Sequence, residues 1–437
     1  MTTPNGPVLF NSSSGSDTDS SGLGPASAVT GYGAELDGTA TIDVSMDGAD
    51  LTTMSAGDLL FCSTSSGRQF SIIASVDTIN ETITTDDLWP IESGVAWAVG
   101  GKRATYENSR SLTSSGDVPL AWLETETDQT ITSSLGEYAK GGRFRGAAGS
   151  MPTLSIDNDG SFMWQGGSRW IVNLKMQALS VGNKFSNAQT SGGIGNTSVT
   201  CQDCVIGDPT NSFTMLSDDH ARTSYITASN TLIQYVGTVG ASNITENSTA
   251  LSLTNCVWKL NGIIYKSGPN GNFSAKKCIF IGDGTGAFYS HNYGKLFVED
   301  CVFYNHNIVC SGGQLSCSIK NCIFHTCATA VQAYYGGTLE DAGGTVYGNY
   351  AYNVTSLVAA GDTDGQSSLE NTTLSADPFT DAANDDFTLN TVVGGGAVLR
   401  AIVTAFGSTT TYPFNWLTDG SGGGGGGGST VHPLYAN

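Results

Sequence analysis

Five stretches of this chain share one short pattern: Asn230-Thr231-Leu-Ile, Asn255-Cys256-Val-Trp, Lys277-Cys278-Ile-Phe, Asp300-Cys301-Val-Phe and Asn321-Cys322-Ile-Phe. The small residue recurs at 231, 256, 278, 301 and 322, giving spacings of 25, 22, 23 and 21. Cys201-Gln-Asp203-Cys204-Val-Ile fits one step earlier, 27 residues before Thr231. A period in the twenties marks a solenoid in which each repeat covers the open apolar face of its neighbour. Within each period the apolar runs are short, β-branched or aromatic, and split by Gly, Asn and Ser, with no helical pattern between them. A second apolar pair follows each Cys-containing unit, as at Ile263-Ile264, Ala287-Phe288, Ile308-Val309 and Ala330-Val331. A leucine-rich repeat has a similar period but needs a Leu framework, which is missing. The expected fold is all-β, a parallel β-helix of about three short strands per coil.

Composition agrees. The 437 residues suffice for a large core, which a solenoid builds without splitting into globular units. Only 13% of residues are charged, and the polarity comes from Ser, Thr and Asn, which suit corners and outer strand faces. Lys plus Arg is 18 against 39 Asp plus Glu, a net charge of −21. Such a surface repels nucleic acid and anionic lipid, so neither is an expected partner. No run approaches the length of a membrane-spanning helix, and no membrane insertion is expected. The opening Met1 to Pro7 lacks the basic and apolar regions of a signal peptide. Read as the natural start, it predicts synthesis in a cytoplasm.

Ten cysteines fit a reducing origin. The ladder at 256, 278, 301 and 322 predicts small inward side chains stacked at about 4.8 Å, as free thiols because parallel Cβ vectors give poor disulfide torsions. Cys201-Gln-Asp-Cys204 has metal-ligand spacing, but no second pair stands nearby, so no metal is expected. No P-loop or dinucleotide fingerprint occurs, and no cofactor is expected.

Along the chain, residues 1–35 read as a lead strand and loop. Residues 36–104 read as a small β-domain, a barrel or sandwich, with strands over Thr39–Val44, Asp58–Cys62, Phe70–Val76, Thr82–Thr85 and Ala96–Val99. The β-helix is expected over 105–395. From 396 to 437 the pattern changes: Tyr412-Pro-Phe-Asn-Trp416 is followed by a glycine run, Gly422 to Gly428, and by Val431-His432-Pro-Leu434-Tyr435. Trp416, Val431, His432, Leu434 and Tyr435 are the candidate assembly contacts, apolar and aromatic groups carried on a flexible tether.

Both ends carry further motifs. Val8-Leu-Phe-Asn, then Gly-Ser-Asp17 and Gly22-Leu-Gly-Pro25, resembles the opening of many right-handed β-helix proteins. Asp377-Pro378-Phe379, followed by Asp386-Phe387-Thr-Leu389, resembles the closing motif of bacterial and phage β-helix proteins. With the repeat, these motifs make the chain similar to the right-handed parallel β-helix, pectate-lyase-like superfamily, and within it to bacteriophage spike, fibre and decoration proteins. The superfamily carries lyases, hydrolases, adhesins and virion spikes alike. The resemblance implies a non-enzymatic virion surface protein whose partners are other virion structural proteins or identical copies, and host-surface polysaccharide. The alternatives are a bacterial surface adhesin and a polysaccharide lyase or hydrolase.

Asp218-Asp219-His220, with Arg222, is the nearest approach to a catalytic cluster. Polygalacturonases carry Asn-Thr-Asp, Asp-Asp, Gly-His-Gly and Arg-Ile-Lys; only Asp-Asp occurs here, so Asp218, Asp219 and His220 read as a polar corner. Asp86-Asp87 falls in a turn, and Asp385-Asp386 in the closing motif. His291, His306 and His325 are spaced by 15 and 19, which misses the coil period, and they read as surface or corner residues. Tyrosines crowd the later coils, including Tyr304, Tyr347, Tyr350 and Tyr352. Tyr289, Tyr293, Tyr334 and Tyr335 are the candidate glycan contacts, because aromatic rings stack on the apolar faces of sugars.

Overall fold

The computed structural model describes residues 8–11, 29–56, 58–65, 67–99, 122–131, 142–147, 149–156, 161–164, 167–179, 184–187, 197–207, 213–217, 224–239, 249–260, 272–284, 287–291, 295–312, 316–333, 345–358, 371–405 and 417. The chain divides into two compact units, Met1–Asn158 with Gly166–Leu179, and Asp159–Gln165 with Ser180–Asn437.

The first unit contains a closed antiparallel barrel. Around it run Val29–Asp37, Thr41–Asp43, Thr82–Thr85, Gly67–Asp77, Leu59–Thr64 and Ile91–Val99. Alternate residues fill its core, among them Leu36, Ile42, Leu60, Ile83 and Trp97. Five of the six strands match expected ones. The sixth, Val29–Asp37, is masked in the sequence by Gly31 and Gly33, which read as a loop. Gly31 is required because the Trp97 ring occupies the space of a side chain there, and Gly33 sits at φ +135°. The same unit holds parallel rungs: Val8–Asn11, Trp122–Thr125, Gly142–Gly146 and Gly167–Val172 on one face, and Gln129–Ile131, Thr153–Ile156 and Lys175–Ala178 on a second.

The second unit is a parallel solenoid with three strand-bearing faces. The first face stacks Thr197–Gln202, Ser224–Ser229, Thr249–Thr254, Asn272–Lys276, Lys295–Glu299, Ser316–Lys320 and Thr345–Tyr347. The second includes Val257–Leu260, Ile279–Ile281, Val302–Tyr304, Ile323–His325 and Tyr350–Tyr352. The third includes Ala287–His291, Ile308–Gly312, Thr329–Ala333 and Ser356–Val358, where the second apolar pairs of the repeat fall.

One residue turns the chain from the first face to the second. It adopts left-handed backbone at Asp203, Asn230, Asn255, Lys277, Asp300 and Asn321, with φ between 49° and 56°. Asn and Asp tolerate this region best among residues with a side chain. Their side chains also form a ladder: Asn255 Nδ2 donates to Asn230 Oδ1 (2.8 Å), and Asn230 Nδ2 donates to Asp203 Oδ1 (2.9 Å). Lys277 cannot continue it.

The next residue is driven inward, which accounts for the Cys and Thr of the repeat. Cys301 Sγ donates to Glu299 O (3.2 Å) and accepts from Cys278 N–H in the preceding coil (3.4 Å). Cys278 repeats this with Lys276 O (3.3 Å) and Cys256 N–H (3.5 Å), and Thr231 with Ser229 O (2.8 Å) and Cys204 N–H (3.5 Å). The position therefore needs a small side chain that both donates and accepts, closing the backbone groups a sharp corner leaves open. Inside the second face Trp258, Phe280, Phe303 and Phe324 lie in register, with centroids 4.9 Å apart for Phe280–Phe303 and 5.3 Å for Phe303–Phe324.

The closing motif does not end the stack; it lies along the outside of the second face. Phe379–Asp381 and Asp386–Leu389 pair as a hairpin. Phe379, Phe387, Leu389 and Leu399 pack with Leu417 on outward Val257, Ile279, Val302 and Ile323. Lys259 Nζ holds Asp385 Oδ2 at 2.5 Å, and His325 Nε2 lies 3.0 Å from Asp377 Oδ1. Helix α1, Gly396–Ala405, is tied in where Arg400 Nε donates to Leu389 O (2.9 Å) and Asn390 O (3.0 Å).

Two outcomes test this account. Asn255→Ala should lose about 2 kcal/mol of stability, half from the left-handed backbone and half from the ladder bond. Asn255→Gly should recover only the backbone part in denaturant titrations; equal losses would show that the side chain is idle. Deleting residues 377–437 should expose the second face and raise binding of a hydrophobic dye sharply, whereas deleting 420–437 should leave the melting transition unchanged. An unaltered dye signal after the longer deletion would mean that the cover contributes no burial.

Candidate functional site

Of the two faces joined at the Asn corner, the second is covered by the closing segment, and among the described residues the first carries no such cover. Its alternation is regular. Leu251, Phe273, Leu296, Val298 and Ile319 point inward and are buried, while their neighbours point out. Strand pairing aligns the outward residues in rows across successive coils. One row runs Thr227, Ser252, Ser274, Phe297, Ser318, and the next runs Ser229, Thr254, Lys276, Glu299, Lys320.

Between these rows lies an open groove of about 380 Å³, lined by Ser252, Thr254, Ser274, Lys276, Phe297, Glu299, Ser318 and Lys320, with backbone between them. Phe297 is 45% exposed. It stands alone among hydroxyl residues, and Ser274 Oγ donates to Ser252 Oγ at 3.1 Å. Lys276 Nζ reaches across one coil to Glu299 Oε2 at 2.9 Å, and Glu299 holds the lysine's ammonium above its ordinary value. An exposed ring bordered by hydroxyls and by charges of both signs offers a stacking platform and hydrogen bonds together, the combination that suits a polyhydroxylated ring.

Two buried titratable groups lie in the corners. Burial pushes the Asp300 carboxyl up to about 6, and the Glu299 charge acts in the same direction. Burial also pushes His306 down to about 4, while its Nε2 lies 3.2 Å from Phe280 O. Of the histidines read as surface or corner residues, His306 does lie in a corner, but both it and His325 are buried. The reason lies in a second corner, between the second and third faces. Asn305 and Thr326 there have left-handed backbone (φ 58° and 53°), so His306 and Cys327 are driven inward as the ladder cysteines are. His325 stands on the outer side of the second face, where Phe379 covers it at a centroid distance of 5.5 Å. Burial lowers its pKa, outweighing the charge of Asp377.

Of the expected glycan contacts, Tyr289 lies in the third-face strand Ala287–His291. Tyr293, Tyr334 and Tyr335 lie outside the described residues, as do Asp218, Asp219, His220, Trp416, Val431, His432, Leu434 and Tyr435. Tyr304, Tyr350 and Tyr352 pack against the closing segment. The eight cysteines whose side chains are described, Cys201 and Cys204 among them, are buried free thiols. Among the described residues no group of three or more His, Cys, Asp or Glu could hold a metal ion, and no helix is long and apolar enough to cross a membrane. Sequence reasoning missed Phe297, Lys276, Glu299 and Lys320. The signal was present: three residues before each corner stand Thr200, Thr227, Ser252, Ser274 and Ser318, and Phe297 alone breaks that series.

The Asp300 shift sets a pH dependence. Its folded value of about 6 exceeds the ordinary 3.8, so the folded chain keeps a proton that the unfolded chain releases between about pH 4 and pH 6. Stability is lost as pH rises through that window. Asp300→Asn should therefore be more stable than the parent at pH 7, with the advantage vanishing below about pH 4. His306 titrates in both proteins and cancels in the difference. A gap in denaturation midpoint that is the same at every pH would show that Asp300 ionises normally.

No protein-family model matches this sequence, and no curated protein matches it. Among solved structures the chain is similar to the Gp54 tailspike of Acinetobacter baumannii bacteriophage AP22, in complex with A. baumannii capsular saccharide. The identity is 10%, the TM-score is 0.22, and the likeness covers 81% of this chain and 66% of that one. This chain thus spans just under two thirds of that chain's length.

Proposed function

We propose that this chain is a non-enzymatic virion surface protein, a fibre, spike or head decoration, that binds host-surface polysaccharide along the groove of its first face. The observation that carries this reading is Phe297, a ring left exposed at the centre of a hydroxyl-lined groove on the first face. A virion setting is supported by the two ends of the sequence, whose motifs resemble those of phage β-helix proteins. Assembly with other virion proteins or with identical copies belongs to the same reading, with Trp416 and the Val431–Tyr435 segment as its candidate contacts.

Binding without cleavage is supported by the groove's carboxylates. Glycosidases place two carboxyl groups across the scissile bond. The groove lining holds one, Glu299, and it is paired with Lys276. One observation favours the enzymatic alternative: Asp300, next to Glu299, has the raised pKa of a general acid. Its carboxylate is, however, mostly buried in the corner ladder, where Asn321 Nδ2 lies 3.5 Å from its Oδ1.

A panel of purified surface polysaccharides incubated with the full chain separates these readings. Binding is expected without new reducing ends or unsaturated products, and Phe297→Ala should weaken it about tenfold through loss of the stacked ring. Product release abolished by Asp300→Asn would establish the enzyme instead. Unchanged binding by Phe297→Ala would move the site off this face. Antibody labelling of the chain on intact particles tests the virion setting, and label found only on bacterial surfaces would favour the adhesin.

A further inference from the structure

We infer that the saccharide held by the first face is acidic, and that Lys320 is the residue that takes its carboxylate. This rests on the glycan reading above and adds the class of sugar. The groove is electrostatically unlike the rest of the chain. Acidic residues outnumber basic ones by 39 to 18 overall, yet the charged residues lining the groove are two lysines and one glutamate. Glu299 is already engaged, its carboxylate 2.9 Å from Lys276 Nζ. Lys320 is the register partner of Glu299 on the following coil and is exposed, and among the described residues it has no ion pair of its own. Pairing one lysine through the shared carboxylate leaves one positive charge at the lip of the groove.

The spacing fits a charged sugar. Ser318 is the register partner of Phe297, and Lys320 stands two residues further along the same strand. A pyranose ring seated on Phe297 spans about one coil spacing of 4.8 Å, so a carboxylate on its rim comes over Ser318 and Lys320. Ser318 then has a hydroxyl to donate and Lys320 an ammonium, a charge-assisted pair on one oxyacid. A neutral sugar would use the ring and the hydroxyls but leave the lysine hydrated. The net acidity of the chain would disfavour non-specific attachment of a polyanion and so favour a site where lysines predominate.

Titration calorimetry on the full chain tests this with acidic oligosaccharides (oligogalacturonate, oligomannuronate, hyaluronan fragments and oligosialic acid), each beside its carboxyl-reduced counterpart. At least one acidic probe should bind, and its reduced form should bind about tenfold more weakly. Affinity should fall as salt rises from about 20 mM to about 500 mM, because exposed charges are screened. Lys320→Ala should cost about fivefold against the acidic probe and nothing against the reduced one, whereas Lys320→Arg should retain binding. If reduced and acidic forms bind equally and Phe297→Ala weakens both, the groove binds glycan but the acidic assignment is overturned. Binding of an acidic probe that Lys320→Ala leaves intact also overturns it. Should no saccharide bind, acidic or neutral, the glycan reading itself fails, and this inference with it.

Discussion

The solenoid of the second unit depends on a single backbone conformation repeated once per coil. A residue in the left-handed region turns the chain between two sheets without a loop, at a cost of about 1 kcal/mol or more for an ordinary side chain. Asn and Asp meet that cost best, and their amides and carboxylates bond from coil to coil at Asp203, Asn230 and Asn255. The same turn forces the following side chain inward beside open backbone groups. Cys, Thr and Asn all answer that demand, since Asn349 occupies the position after Gly348, bonding Ile319 O (3.0 Å) and receiving Cys322 N–H (2.8 Å). The buried thiols are thus polar links in the corner rather than inert filling.

Once the corner is fixed, so is the register, and a fixed register sorts side chains into rows. The inner rows are constrained by packing, as the Phe280–Phe303–Phe324 stack shows. The outer rows are not, and they are where a solenoid can carry function without disturbing its fold. On the second face the outer row is aliphatic, and the closing segment covers it. On the first face it is mostly Ser and Thr, stable in water without a cover. The contrast between these two outer rows directs attention to the groove around Phe297.

The electrostatics follow the same division. Charges inside the corners, such as Asp300, are shifted by burial and serve the stack. Charges on the open rows stay in water, where Lys276 and Glu299 pair with each other and Lys320 is left exposed beside them. In a chain of net charge −21, a groove whose lysines outnumber its carboxylates is a local reversal of the field.

The sequence alone determined the all-β solenoid, because Asn-Cys at intervals near one coil length is a local signal of a local conformation. It also disclosed five of the six barrel strands by alternation; Val29–Asp37 was hidden because glycine reads as loop until the Trp97 ring that excludes a side chain is in place. The site was only half legible. Phe297 breaks a hydroxyl series that can be counted in the sequence, but whether the first or the second face lies open depends on where a segment more than fifty residues away in sequence comes to rest. His306 and His325 show the same limit, since their burial comes from a second corner and from a distant cover, not from their spacing. Periodicity reports which residues share a row. Only tertiary structure decides which rows meet water, because burial of an outer face is made by non-local chain.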